Sequence, residues 1–199
     1  MKSPFSLALG LALCLILASC TVTSDNPLSS PDTAQADQRL VGDWFGKKDK
    51  NTFRFTASKG GWMHVEIIPS KAGEKTDSYD FFPTTIGSTT FLNVQNEDDD
   101  GHPIKGYFLL RYTISGDHVL QMWMVSQDAA AAAVRAGKLK GIVHQDKNPM
   151  MVGQPPHPDV DVTLQDTTAN LVTFIQGTDV DTLFSDKCDP LYRVKSTGK

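Results

Sequence analysis

Between Leu40 and Val194 apolar and polar residues alternate in one short segment after another, and this period of two constrains the chain more than any motif in it. Met63, Val65 and Ile67 alternate with His64 and Glu66; Phe108, Leu110, Tyr112 and Ile114 alternate with Arg111 and Thr113. Neighbouring side chains of a strand point to opposite faces, so each segment has one face to bury and one for water. Strands are expected over 40–45, 52–57, 62–69, 79–85, 90–95, 106–114, 118–125, 141–145, 160–164 and 191–194. Between them Lys59-Gly60-Gly61, Asp99-Asp100-Gly101 and Ser115-Gly116-Asp117 supply residues that tolerate positive φ or cap a turn. Successive hairpins make an antiparallel meander, and closing it removes the edges that an open sheet would expose. The expected fold is mainly β, a single antiparallel meander β-barrel. The long tilted strands and aromatic girdles of a transmembrane barrel are not evident.

Two segments break the period. Ser126 is placed to N-cap a helix through Ala136 that stops at Gly137, with Lys138 and Lys140 at the negative end of its dipole. A second helix starts at Thr167 or Thr168, carries Leu171, Phe174 and Ile175 on one face as a plug for an apolar opening, and ends at Gly177. Gly153-Gln154-Pro155-Pro156-His157-Pro158 reads as a stiff extended loop.

At the N-terminus Lys2 precedes an apolar run from Phe5 to Ile16, short of the ~20 residues that a spanning helix needs. Leu17-Ala18-Ser19-Cys20 closes that run and resembles the lipobox of bacterial lipoproteins. The resemblance implies that residues 1–19 are a signal peptide and that the Cys20 sulfur receives a diacylglyceryl group. It also implies that the new amino group is acylated, as with palmitate. Thr21, where an aspartate would retain the protein at the inner membrane, implies the outer membrane, facing the periplasm. Residues 21–39 are rich in Ser, Thr, Asp and Pro and are expected to be a disordered tether of about 25 Å reach. The chain thus divides into a leader (1–19), a lipidated cysteine with its tether (20–39) and a barrel domain (40–199). With Cys14 removed and Cys20 acylated, Cys188 is expected to be a shielded, unpaired thiol. The whole chain carries a formal charge of −4, and without a basic patch nucleic acid is not an expected partner.

Gly42-Asp43-Trp44, opening the first expected barrel strand, resembles the G-x-W signature of lipocalins and related calycin barrels. In that family the Trp closes one end of the barrel and a basic residue from late in the chain lies against its ring. Arg193, in Leu191-Tyr192-Arg193-Val194, is the matching residue, and a desolvated cation–π contact is worth roughly 1 to 2 kcal/mol. The resemblance spans 40–195 and implies a barrel that binds a small apolar or amphiphilic molecule. The Ala-rich helix is an addition to that plan.

Chemical motifs are sparse. Asn96 to Gly101 matches the first half of a calcium loop, but Tyr107 stands where the closing Glu belongs. His64, His102, His118, His144 and His157 lack zinc-ligand spacing, and Ser115 to His118 lie too close in one turn to form a hydrolytic triad. No elbow, phosphate loop or dinucleotide fingerprint occurs. No catalytic, cofactor-binding or metal-binding residue is therefore expected, and the chain does not read as an enzyme. Met122 and Met124 are expected to fill the core. Met150 and Met151, beside Pro149, are expected to need a cover. Two functions remain open: a lipoprotein that binds an apolar ligand inside its barrel, or a structural or protein-interaction lipoprotein with a filled barrel.

Overall fold

The computed structural model describes residues 22–98, 101–145 and 160–195. A short strand, β1 (Val22–Ser24), comes first. Then follow β2 (Gly42–Gly46), β3 (Thr52–Ala57), β4 (Met63–Ile68), β5 (Asp77–Ile86), β6 (Thr89–Glu97), β7 (Pro103–Ser115) and β8 (Val119–Met124). Next come α1 (Gln127–Arg135), β9 (Gly141–Gln145), β10 (Val160–Leu164), α2 (Thr168–Gln176), α3 (Val180–Leu183), β11 (Asp186–Lys187) and β12 (Leu191–Arg193). Strands β2 to β8 form the antiparallel meander. The last strand closes it, because β12 pairs with β2 on one side, Arg193 opposite Trp44, and with β8 on the other, Leu191 opposite Leu120. The ring has eight strands.

Local chemistry accounts for the turns and helix ends. Between β7 and β8, Gly116 (φ 54°) and Asp117 (φ 58°) are both left-handed, and the His118 N–H donates to the Ser115 carbonyl at 3.3 Å. Two successive positive φ values are what a tight hairpin needs to match the twist of its strands. Ser126 and Thr167 cap α1 and α2, accepting from the Ala129 and Asn170 N–H groups.

The alternation sorts side chains into two cores. Trp44, Phe53, Phe55, Phe81, Leu110 and Tyr112, none more than 2% exposed, point inward with Met63, Leu92, Val94 and Met122 and occupy the barrel axis. Phe91 and Leu109 point outward from β6 and β7 into a second core, under Ala130 and Ala131 of α1, Leu171 and Ile175 of α2, and Val22 and Val162 of β1 and β10. Phe91 to Val94 are consequently all buried, as a strand covered on both faces requires.

The structure corrects five expectations. The segments 141–145 and 160–164 are strands, but they lie outside the ring in an outlying sheet, β1-β10-β9, that continues from β7. β7 is 13 residues long; β8 covers Leu110 to Ser115, and β1 pairs with Tyr107 and Phe108 beyond it. A third helix, α3, stands beside the two expected, and α2 packs on the outer wall instead of plugging an opening.

The supposed tether is, from Val22 onward, laid on the domain. Val22 and Leu28 are only 7% and 2% exposed. The Leu28 N–H donates to Oδ1 of buried Asn93 at 2.7 Å, Asn26 Nδ2 donates to the Asp166 carbonyl at 2.9 Å, and the Ser29 and Thr84 hydroxyls meet at 2.6 Å. Few apolar side chains suffice here because strand pairing and side-chain bonds satisfy the backbone. Finally, Cys188, between β11 and β12 with its N–H on the Met122 carbonyl of β8, is disulfide-bonded instead of unpaired, and its partner lies outside the described residues.

Candidate functional site

The two ends of the barrel differ. At the closed end Trp44 is fully buried, its Nε1–H donates to the Leu40 carbonyl at 2.7 Å, and the Arg193 guanidinium stands 4.2 Å above its ring. Arg193 also donates to the carbonyls of Asp117 (2.7 Å), Val41 (2.8 Å) and Arg39, linking the final strand to the β7–β8 turn and to the chain entering β2. This explains the glycine of G-x-W: Gly42 has φ 120°, and a Cβ there would stand 3.2 Å from Arg193 Nη1.

Beside this seal the Tyr112 hydroxyl rises from the barrel axis to donate to Asp37 Oδ2 at 2.7 Å, and Arg39 grips the same carboxylate through Nε (3.0 Å) and Nη2 (2.7 Å). Burial alone would raise the Asp37 pKa, but the bonds from Arg39 and Tyr112 outweigh it and hold the carboxyl below its usual value. Burial, and then the bond to Asp37, push the Tyr112 phenol well above its ordinary range. A carboxyl whose pKa is lower folded than unfolded stabilises the protein above the unfolded pKa, and that contribution disappears as pH falls through the folded one. Tyr112→Phe should therefore cost about 1.5 to 3 kcal/mol at neutral pH, the range for a hydrogen bond to a charged group, and should cost less at acid pH. Urea denaturation across the carboxyl range measures both.

The other end opens into a cleft. Strands β5 and β6 pair only from Phe81/Val94 to Ile86/Thr89, so the Asp77–Asp80 half of β5 lies beside β4 alone. A register shift between Gln95 and Glu97 re-aims β6 at that point, as a bulge does. The resulting cleft of about 720 Å³ is lined by His64, Tyr79, Asp80, Glu97, Asp98 and Phe108 among others. His64 Nδ1 meets Asp80 Oδ1 at 2.7 Å. Burial and then the nearby Asp80 charge raise the Glu97 pKa, while burial, Asp77 and Glu97 raise that of Tyr79. Such a recess favours cations over anions, yet among the described residues no three His, Cys, Asp or Glu side chains gather to hold a metal ion.

Among the described residues apolar space is scarce. A gap among Leu109, Leu139, Leu171 and Phe184 in the second core measures about 20 Å³, room for a water at most. No family model matches this chain, and no curated protein or solved structure matches it.

Of the residues singled out by sequence, Trp44 and Arg193 are brought into contact. Met122 is buried in the barrel core and Met124 packs against its edge. Cys20, Met150, Met151, His157 and the tip of the acidic turn, Asp99 and Asp100, lie outside the described residues. The cleft and the Asp37–Tyr112 bond escaped sequence reading. The pairing of Tyr112 with a residue 75 positions away carries no local signal.

Proposed function

We propose that this chain is an envelope lipoprotein, held in the outer membrane through acylated Cys20, whose barrel is filled by its own side chains and works through its outer surface as a structural or protein-interaction module. The occupied axis carries this reading over that of an apolar-ligand carrier. A carrier needs roughly 300 to 1,000 Å³ of mostly apolar concave space, whereas the axis here is taken by Trp44, Phe53, Phe81 and Tyr112. Among the described residues, the cleft of that size is rimmed by carboxylates, and a second recess of about 380 Å³ is lined mostly by polar side chains, among them Asp37, Arg39 and Thr84.

Acylation and disulfide formation exclude each other at one sulfur. On this reading Cys14 leaves with the leader and the Cys20 sulfur is held in a thioether, outside any disulfide. Two measurements test the proposal. Cys20→Ser should move the protein from the membrane fraction to the soluble one. Peptide mapping of the wild-type mature chain should find Cys20 at its N-terminus with the sulfur in thioether linkage. Recovery of a Cys20–Cys188 disulfide, or membrane retention of Cys20→Ser, would overturn the anchor. Anilinonaphthalene sulfonate, which brightens in apolar cavities, should gain little emission from the native domain; strong saturable emission would revive the carrier.

A further inference from the structure

We infer that the domain rests directly against the bilayer by the end of the outlying sheet at which β1 begins. This inference rests on the lipid anchor proposed above and concerns what that anchor does to the domain. Only Thr21 separates Cys20 from Val22. Two residues span at most about 7 Å even when fully extended, so Val22 stays within that distance of an acylated Cys20, whereas a 19-residue coil would reach about 25 Å.

Val22 is also a fixed point. It stands opposite Val162 in the parallel pairing with β10, Thr23 stands opposite Phe108 of β7, and the Asp25 N–H donates to the Leu164 carbonyl at 2.8 Å. The anchor is therefore attached to a strand held on both sides, which limits tilt as well as distance.

The pairing identifies the surface. β10 runs parallel to β1 but starts at Val160, two residues ahead of the position opposite Val22, and β9 lies beside it with Gln145 opposite Val160 and His144 opposite Asp161. These residues project beyond the start of β1 toward the lipid. Since the described part of this edge carries no basic cluster, the contact follows from the shortness of the connection and not from headgroup charge. It should therefore persist on zwitterionic lipid and at high salt.

Full-length acylated protein, labelled with a nitrobenzoxadiazole fluorophore at His144→Cys or Lys71→Cys, tests this in phosphatidylcholine vesicles containing a nitroxide-headgroup quencher. Lys71 is exposed in the β4–β5 connection, two strands removed from β7, and Cys188, 2% exposed, is shielded from the label. The label at position 144 should lose most of its emission and that at 71 little. A flexible insert of about 20 residues between Thr21 and Val22 should abolish the difference. Proteins that float with vesicles yet show equal quenching at both positions, with or without the insert, would overturn the inference and leave the anchor intact. Failure to float would overturn the anchor and the inference with it.

Discussion

A chain beginning at Leu40 should melt at least about 10 °C below one beginning at Thr21, or should fail to unfold cooperatively. Removing Val22 and Leu28 forfeits roughly 1.5 to 3 kcal/mol for each buried side chain. Asn93, which is fully buried and binds Phe82 and Thr84 through Nδ2, loses the Leu28 N–H donor at its Oδ1. An unpaired buried acceptor costs about 1 to 3 kcal/mol more. The same deletion removes Asp37 from Tyr112 and strips β1 from between β7 and β10. Against a total stability of some 5 to 15 kcal/mol, losses of this size are decisive, and each kcal/mol corresponds to about 2 to 4 °C in a chain of this length. Melting within a few degrees of the longer chain would show that the segment only rests on the surface. Differential scanning calorimetry distinguishes the outcomes.

The second large effect belongs to Trp44. Trp44→Ala should cost about 3 to 5 kcal/mol, the range for a large buried aromatic, because the ring fills the closed end and its N–H binds the Leu40 carbonyl. Arg193→Met keeps most of the stem and removes the charge, so it should cost less; the cation–π share is about 0.5 to 2 kcal/mol. The two residues touch, so their effects should not add. A double-mutant cycle with Trp44→Phe and Arg193→Met should return a coupling of about 0.5 to 3 kcal/mol. Additivity within error would mean that ring and guanidinium contribute independently.

What could be read in the chain was whatever has a short-range cause. Alternation placed the strands, Ser126 and Thr167 marked helix starts because a hydroxyl must meet an N–H three residues on, and the G-x-W pattern led to Arg193. What could not be read depends on distant partners. The sequences of β9 and β10 alternate like barrel strands, and only pairing with β1 and β7 puts them outside the ring. Phe91 to Val94 have no exposed face because a second core covers the outer wall, and the polar Asn93 among them is buried in hydrogen bonds. Residues 22–39 look too polar to order, yet Asn93 and Asp166 supply partners from 65 and 140 positions away. The cleft comes from one register shift in β6, which no residue type announces.

That the barrel holds its own side chains instead of a cargo is tested most directly by a native mass spectrum of the purified protein, recorded under conditions that preserve non-covalent complexes. The expected mass is that of the covalent chain and nothing more. A stoichiometric additional mass that is released on unfolding would place a ligand inside the barrel and contradict it.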